Sequence, residues 1–494
     1  MNILLVTLNT TYQHTAFGLR YLFANLDELQ SQAKILEFAI EKNPRDIAEE
    51  ILKHDPRIIG FSIYIWNTWQ TLVLISILKK IAPNITLVLG GPEVSYESEL
   101  QEICQIADYV IKGEGDFLFR DLCRKLFSNC RSEKYISDAL PNIAEIKFPY
   151  IHYTEEDIRN RVIYVEASRG CPFKCEYCLS SLDSSVRNFP LDSFLSEMET
   201  LLQRGVRKFK FIDRTFNLNI SISRQILEFF FKRMHLNLFI HFEMVPDRLP
   251  EELTQIIKQF PKGSLQFEIG VQTWNPTVAK LIGRRNDYNK VCENFIFLSE
   301  ETEVHTHADL IVGLPGEDLN SFAEGFDKLY KIKPDEIQVG ILKRLKGTPI
   351  VRHDFEWQMV YQTHSPFQVL STKVMNYQTL QNMSRFSRFW DLIANSGQFP
   401  GFMAKLTSVY LIEIETEISS IFWKFYGLSS FLVQRHPQTH SIHLINLAES
   451  LFLFLQAKLN LQQVEAAQII FNDYCNKGTR TLPNFLKPFI KNFI

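Results

Sequence analysis

The sequence predicts an α/β protein made of two parallel β-sheets and a C-terminal helical domain. Residues 1–130 and residues 161–350 each alternate apolar runs with amphipathic segments, as successive βα units do. After residue 351 the alternation ends, and the segments up to residue 494 carry a helical pattern. A polar stretch, residues 131–160, lies between the two series. We therefore expect three domains, with residues 131–160 as the linker between the first two.

The first series predicts a doubly wound parallel sheet. Its strands are the apolar runs NILLVTL, AKILEFAI, RIIGFSIYIW and NITLVLGG, and a short fifth strand lies in ADYVIKGEGD. Amphipathic segments such as NPRDIAEEILKHD separate these strands. Apolar runs without polar alternation are typical of parallel strands that are covered on both faces.

Small and polar residues follow the predicted strands of this sheet, at the edge where doubly wound folds bind their ligands. Gly90 and Gly91 begin the turn GGPEVS, and Gly113 and Gly115 lie in the turn GEGD. Glycine lets a ligand approach the backbone closely and accepts positive φ. Two such turns at consecutive strand ends indicate room for a large ligand, although ordinary tight βα turns would have the same composition.

The second series predicts a partial barrel. Its six candidate strands are VIYVEAS, KFKFID, FIHFEMV, SLQFEIGVQ, THADLIVGLP and EIQVGILK. Helical stretches such as LDSFLSEMETLLQRG and LPEELTQIIKQF lie between them. Six βα units are fewer than the eight of a closed barrel, so we expect an open (β/α)6 arrangement.

The C-terminal region predicts helices. NYQTLQNMSRFSRFWDLIANSG and FMAKLTSVYLIEIETEISSIFWKFYG are long segments without strand alternation, and the remaining segments are of the same kind. We expect a separate helical domain over residues 351–494.

Charge and hydropathy argue against two classes of protein. The formal net charge of −3 disfavours an electrostatic nucleic-acid binder. No window reaches about 18 uninterrupted apolar residues, which disfavours a membrane span. No basic segment precedes the apolar run at the N-terminus, so a signal peptide is not expected. We expect a cytoplasmic protein whose thiols stay reduced. Five scattered cysteines are then structural thiols, namely Cys104, Cys123, Cys130, Cys292 and Cys475.

The other three cysteines, Cys171, Cys175 and Cys178, form a C-x3-C-x2-C cluster directly after the first barrel strand. A zinc site would want a fourth ligand, but no Cys or His follows before His235. Cys175 and Cys178 alone match a redox C-x-x-C pair, although the sheet ahead of them is not a thioredoxin series. The third interpretation is an iron–sulfur cubane on three cysteines, with one iron open to another ligand.

The sequence GCPFKCEYC resembles the signature of the radical S-adenosylmethionine (SAM) enzymes, in which an aromatic residue precedes the last cysteine. Tyr177 occupies that position. The resemblance implies a [4Fe–4S] cluster on the three cysteines, with the amino and carboxylate groups of SAM on the open iron. It also implies that an electron from the cluster cleaves SAM to a 5′-deoxyadenosyl radical.

Three further positions resemble SAM contacts of that family. Asp213 in FIDRTFN occupies the second-strand position near the SAM amino group, although the family's usual pattern is replaced here by Asp-Arg-Thr. Glu268 in FEIGVQT matches a fourth-strand position near the ribose and methionine. Gly313 in DLIVGLPGED matches a fifth-strand turn near the adenine.

A flavodoxin-like (Rossmann-type) sheet ahead of a radical SAM barrel resembles the cobalamin (B12)-binding radical SAM enzymes, in particular an uncharacterised subgroup with a helical C-terminal domain. The resemblance implies that cobalamin lies on the sheet edge and faces the barrel. The residues implied in its binding follow the third, fourth and fifth strands: Ser62, Tyr64, Gly90, Gly91, Glu93, Gly113, Glu114 and Gly115.

One departure concerns cobalt. Many cobalamin proteins carry Asp-x-His-x-x-Gly after the first strand, and the histidine ligates cobalt from below. Here the segment is TTYQHTAFG, in which Gly18 follows His14 by four positions and no Asp precedes it by two. We therefore expect cobalamin to bind base-off without a histidine lower ligand, the alternative being that His14 takes that place.

The resemblance implies a cobalamin-dependent radical SAM enzyme that methylates an unactivated carbon or phosphorus centre. A rearrangement or cyclisation with the same cofactors remains an alternative, and so does a sensor that uses the cluster or corrin without turnover. The expected partners are a small-molecule or peptide substrate and an electron donor such as flavodoxin or ferredoxin.

Overall fold

The computed structural model describes residues 1–408, 419–438, 441–478 and 480–490. Its N-terminal part is a parallel sheet of six strands in the order β2-β1-β3-β4-β5-β6. The strands are β1 Ile3–Asn9, β2 Ala33–Ala39, β3 Ile58–Ser62, β4 Thr86–Gly90, β5 Tyr109–Ile111 and β6 Tyr135–Ile136. The helices on its two faces are α1 Phe17–Ala24, α2 Pro44–Leu52, α3 Thr68–Ile81, α4 Glu102–Ile106 and α5 Leu118–Phe127. The predicted doubly wound sheet is confirmed.

The interior strand β1 is buried along its whole length because helices cover both faces of the sheet. All seven residues of β1 are buried. Leu4 and Val6 pack into the core on one face, and Ile3 and Leu5 pack into the core on the other. This alternation follows from the two-residue period of a strand.

The stretch expected to be a linker, residues 131–160, adds a sixth strand to the sheet. Tyr135 pairs with Val110, and Ile136 pairs with Ile111. Helix α6, Glu155–Asn160, ends the stretch and begins with a capping box at Thr154. Composition did not indicate β6, because a two-residue edge strand is too short to show a period.

The second sheet contains the six strands predicted for the partial barrel, in sequential order and all parallel. They are β7 Ile163–Val165, β10 Lys208–Phe211, β11 Phe239–Met244, β12 Leu265–Gln272, β13 His305–Val312 and β14 Glu336–Ile341. A small hairpin, β8 Ser168–Arg169 with β9 Arg187–Asn188, lies between the first two. The helices are α7 Leu191–Gln203, α8 Ile220–Phe231, α9 Glu251–Ile257, α10 Pro276–Leu281, α11 Tyr288–Glu301 and α12 Leu319–Lys331.

The C-terminal helices pack on the open edge of this barrel. They are α13 Tyr377–Trp390, α14 Pro400–Ser408, α15 Ile421–Arg435, α16 Leu444–Ala457, α17 Gln463–Cys475 and α18 Lys487–Ile490, preceded by the hairpin β15 Val360–Tyr361 with β16 Val369–Ser371. Asn395 bonds both the N–H and the C=O of Ile337 on β14, at 3.0 and 2.9 Å. Unpaired edge groups are thereby satisfied. Parts of the predicted helical region, residues 409–418, 439–440, 479 and 491–494, lie outside the described residues.

A buried ion-pair network joins the N-terminal sheet to α6. Arg20 contacts Glu37 at 2.6 Å and Asp157 at 2.7 Å, and Arg161 contacts the same two carboxylates at 2.5 and 2.8 Å. The four side chains are between 4% and 11% exposed. Because each charge has two partners of opposite sign, the network holds the linker helix in a fixed place against the sheet.

Within the described ranges, no helix is both long enough and apolar enough to cross a bilayer.

Candidate active site

A cavity of about 560 Å³ lies where the strand ends of the first sheet face the barrel. The turns after β3, β4 and β5 supply the predicted residues that line it, namely Ser62, Tyr64, Gly90, Gly91, Gly113 and Gly115. The barrel supplies the opposite wall, including Tyr164, Glu166 and Arg169. Its size is in the range of cofactor and ligand sites.

Two glycines of this wall have positive φ, for different reasons. Gly91 has φ +107°, and a Cβ there would lie 2.6 Å from the carbonyl oxygen of Ile63. Gly113 has φ +80°, and a Cβ there would meet nothing within 4 Å. Glycine at Gly91 therefore permits a close approach of backbone to backbone, whereas glycine at Gly113 leaves space open.

Glu93 and Glu114, also expected in this site, do not line the cavity. Glu93 is 2% exposed and lies 3.3 Å from the Nζ of Lys346. Burial raises the pKa of Glu93. Glu114 accepts hydrogen bonds from Arg169 and Arg187, which belong to the barrel. Both carboxylates thus join the first sheet to the barrel.

His14 lines the same cavity, and its ring is fixed by the barrel. Its Nδ1 lies 2.5 Å from the hydroxyl oxygen of Tyr164. Asn9 donates a hydrogen bond of 2.9 Å to the His14 carbonyl, which holds the loop. Burial lowers the pKa of His14, as do Lys210 and Arg161, so the neutral imidazole is favoured.

A second cavity of about 200 Å³ at the mouth of the barrel brings the three cluster cysteines together. Cys171 and Cys175 are buried, and Cys178 is half-buried. Burial raises the pKa of the Cys171 thiol. Among the residues that the structure describes, no three His, Cys, Asp or Glu side chains are gathered as ligands of a single metal ion. The thiols instead surround a shared space.

The loop that carries these cysteines is attached at both sides. The N–H of Cys171 donates to the carbonyl of Asp183 at 2.9 Å. Glu176, between the second and third cysteines, lies 2.8 Å from the Nε2 of His353, and both side chains are 7% exposed. The cysteine loop is therefore held by its own far end and by the segment that leads into the C-terminal domain.

Tyr177 and Glu268 line the cysteine cavity, as predicted for residues near its ligand. The Tyr177 hydroxyl accepts a hydrogen bond of 3.2 Å from Arg284, which also contacts the Cys175 sulfur at 3.6 Å and donates to the carbonyl of Gly270. Glu268 lies 3.2 Å from the Nε2 of His241. The hydrogen bond from His241 lowers the pKa of Glu268 to about 2, so its carboxylate is charged.

Two predicted residues have other partners. Asp213 is 3% exposed and does not line the cavity: it accepts hydrogen bonds from the N–H of Ala167 at 3.0 Å and from the hydroxyl of Ser168 at 2.6 Å. Gly313 has φ +87°, and a Cβ there would lie 2.6 Å from Val369, away from the cysteines. Asp213 orients the end of β7, and Gly313 admits the packing of the segment after the barrel.

Three charged residues of the site were missed. Arg214 lines both cavities and donates to Glu243 at 2.8 and 3.0 Å. Arg284 and Asp309 line the cysteine cavity. Burial, followed by the charges of Glu268 and Glu243, raises the pKa of Asp309. Arg214 adjoins Asp213 in FIDRTFN, a stretch that the sequence had already assigned to the site, so its position was a usable signal. No motif in the sequence pointed to Arg284.

The buried carboxyl group of Asp213 gives a testable pH dependence. Burial raises its pKa from 3.8 to about 7, so the folded protein keeps a proton that the unfolded chain releases above pH 3.8. This group's contribution to the free energy of unfolding should therefore fall as pH rises from 4 to 7, by up to about 1.4 kcal/mol per pH unit. The Asp213→Asn variant should lack that slope in urea titrations, and variant Asp192→Asn, at an exposed position, should keep it. Equal slopes in all three proteins would contradict the assignment.

The donor sets of the two cavities fit the groups that the sequence implied. Three thiols around one space, with no His and no fourth Cys among the described residues that line it, suit a cluster with an open iron. The charged Glu268 and the arginines Arg214 and Arg284 suit a zwitterionic ligand beside it. The wider cavity is walled by glycine turns and aromatic side chains, which suits a large planar cofactor.

Three family models match successive parts of the chain. Residues 3–122 match the B12 binding domain, and residues 165–329 match the radical SAM superfamily. Residues 355–493 match a model described as a protein of unknown function, DUF4080. The chain is thus a radical SAM enzyme with an N-terminal B12-binding domain.

Relatives support the same class. The uncharacterized methyltransferase PH0819 of Pyrococcus horikoshii is 25% identical over 67% of this chain and 76% of its own length. The cobalamin-dependent radical SAM methyltransferase TokK of Streptomyces tokunonensis is 22% identical over 60% of this chain, which spans only 48% of that relative. The fold resembles that of TsrM from Kitasatospora setae, a radical SAM methyltransferase solved with cobalamin and a [4Fe–4S] cluster, at a TM-score of 0.59 and 15% identity over 71% of this chain and 74% of that one.

The chain combines a B12-binding domain with a radical SAM domain and is homologous to cobalamin-dependent radical SAM methyltransferases. The resemblance of the chain to the cobalamin-binding radical SAM enzymes is confirmed by its two domains and its relatives.

Proposed function

We propose that this enzyme cleaves SAM reductively at a [4Fe–4S] cluster held by Cys171, Cys175 and Cys178, and methylates an unactivated carbon or phosphorus centre with the help of cobalamin. The observation that carries the proposal is the shared wall of the two cavities. Arg214 lines both the glycine-walled cavity and the cysteine cavity. A substrate at that junction would contact both cofactors.

The bound cofactors would supply an electron for SAM cleavage and a carrier for the methyl group, while the protein binds and orients the reactants. The three thiolates would hold the cluster. Charged Glu268 would accept a hydrogen bond from the SAM amino group, and Arg284 would keep Tyr177 in place. Tyr177 also lines a further cavity of about 400 Å³, whose walls carry both apolar and polar side chains, among them Leu342 and Gln368, and which is large enough to take the adenine.

The charges at the junction of the two cavities would orient the substrate. Arg214 is bound on one side by Glu243, so it presents a fixed cation at the junction rather than a mobile one. Polar groups that are oriented before the reaction stabilise charge without reorganisation. We infer that Arg214 orients an acceptor group of the substrate between the two cavities.

The direct test needs no substrate. Protein purified without oxygen and reconstituted with iron and sulfide should carry about four irons. With a reductant, flavodoxin or titanium citrate, it should release 5′-deoxyadenosine from SAM, and SAM with a deuterated methyl group should pass that label to cobalamin in mass spectra. Stoichiometric zinc without iron would overturn the cluster. Release of 5′-deoxyadenosine without transfer of the label would favour rearrangement chemistry instead.

A separate prediction concerns the lower ligand of the cobalt in bound cobalamin. Because Asp-x-His-x-x-Gly is absent, we expect cobalamin to bind base-off without a histidine below the cobalt. The Nδ1 of His14 is occupied by Tyr164, which favours a fixed ring over one that swings into place. Electron paramagnetic resonance of the cob(II)alamin form should show cobalt lines without nitrogen splitting. Triplet splitting that is lost in His14→Ala and kept in His54→Ala would show the prediction wrong.

A further inference from the structure

The cysteine loop is closed at its base by two arginines. Arg169 on β8 and Arg187 on β9 lie directly opposite each other in an antiparallel pair. Like charges in such a pair repel, so this hairpin is unfavourable on its own. The two side chains are only 14% and 17% exposed, and water therefore screens the repulsion weakly.

The counter-ion that joins them comes from the other domain. Among the described residues, Glu114 contacts both arginines: its Oε2 lies 2.9 Å from Arg169, and its Oε1 accepts a hydrogen bond from Arg187. Asp116 adds two contacts to Arg169, at 2.9 and 3.2 Å. Two further carboxylates, Glu166 and Asp183, each bind one arginine, and the carbonyl of Pro141 accepts a hydrogen bond from Arg187. Glu114 is thus the bridge across the base of the cysteine loop.

The same turn is part of the wall of the larger cavity. Gly113, Gly115 and Asp116 line that cavity, and Glu114 points from between them to the arginines. The turn is also attached to the preceding one, since the N–H of Gly113 donates to Ser95 at 3.0 Å and Ser95 donates to the Gly91 carbonyl at 2.8 Å. A ligand that rests on this wall restricts the turn and, through it, Glu114.

We propose that Glu114 is a positioning residue that couples the two cofactor sites, so that cobalamin in the larger cavity and the cluster on the cysteine loop each strengthen the binding of the other. The inference rests on the proposed function. A cluster needs its three thiols held together in a closed loop, and cobalamin needs the turn held in place. Each cofactor orders a part of what the other requires, and such coupling is reciprocal.

The coupling is measured as a ratio of two dissociation constants. Hydroxocobalamin is titrated without oxygen into cluster-loaded protein and into protein freed of iron by a chelator. We expect tighter binding to the loaded form by about 5- to 150-fold, the usual range of coupling between sites. In Glu114→Gln, which keeps the shape but not the charge, the ratio should fall to about one.

Matched variants separate coupling from stability. Glu28→Gln also removes a carboxylate paired with an arginine in the same domain, but away from the cavity, and should keep the wild-type ratio. Arg187→Gln removes the bridge from the barrel side without touching the cavity wall, and should lower the ratio as Glu114→Gln does. If both act through one bridge, the double variant should lose no more coupling than either single variant.

The outcomes are distinct. A ratio near one in the wild-type protein, or a wild-type ratio in a folded Glu114→Gln or Arg187→Gln variant, would overturn the coupling and leave the proposed function intact. If Glu114 had a purely structural role, its substitution would raise both dissociation constants by the same factor and leave their ratio unchanged. That outcome would also count against the proposal. Failure of hydroxocobalamin to bind either form would overturn the proposed function together with the coupling.

Discussion

We expect the Cys175→Ala variant to lose the cluster and to release no detectable 5′-deoxyadenosine from SAM. Cys175 is 7% exposed, lines the cysteine cavity and lies 3.6 Å from Arg284. Two remaining thiolates cannot hold a cubane that already has one open iron. The measurements are iron content after anaerobic reconstitution and 5′-deoxyadenosine by mass spectrometry.

Cys292→Ala is the matched control, because that thiol is half-buried on α11 and does not line either cavity. It should retain about four irons and wild-type release of 5′-deoxyadenosine. Full cluster content in Cys175→Ala would mean that another residue supplies the ligand, and the assignment of the three-cysteine site would be wrong.

The second large effect is expected from substitution of the glycines that line the larger cavity, Gly91 and Gly113. Gly91→Ala should lower the free energy of unfolding of the ligand-free protein by more than the about 1–3 kcal/mol of a strained backbone alone. The added Cβ would lie 2.6 Å from the Ile63 oxygen and 2.9 Å from its nitrogen, so the turn must move. Cobalamin binding should be lost with it. Urea titration and hydroxocobalamin titration measure the two effects.

Gly113→Ala is the comparison within the same wall. Its φ of +80° costs an L-residue about 1–2 kcal/mol, but no atom lies within 4 Å of the new Cβ. The variant should therefore lose only about 1–2 kcal/mol of stability, less than Gly91→Ala, and should lose cobalamin affinity, since the methyl group enters the space meant for the ligand. Equal stability of the two variants would contradict the close contact of position 91 with Ile63, and unchanged affinity in Gly113→Ala would contradict a role of this turn in binding cobalamin.

The sequence determined the features that depend on short spacing. Cys171, Cys175 and Cys178 lie within eight positions, so a turn in that loop is enough to bring them to one place. The alternation of apolar runs and amphipathic segments likewise determined both parallel sheets, because each βα unit carries its own pattern. The turns with Gly90, Gly91 and Gly113 followed from strand ends, which a parallel sheet aligns at one edge.

The tertiary structure alone decided the partners of the charged residues. Glu114 was expected to bind cofactor but meets Arg169, 55 positions away. Asp213 was expected near SAM but holds the backbone of Ala167, 46 positions away, at the end of β7. His14 meets Tyr164 across 150 positions. No local period encodes such contacts, because they arise only when two sheets dock.

Arg214 shows the same limit within a recognised stretch. FIDRTFN was identified as part of the site, but the acidic residue was chosen and the adjacent arginine was not. Successive side chains just after a strand point in different directions, and sequence does not say which one faces the cavity. Asp213 points inward and accepts a hydrogen bond from the buried backbone N–H of Ala167, which needs an acceptor because water does not reach it. The adjacent Arg214 is therefore the side chain that faces the two cavities.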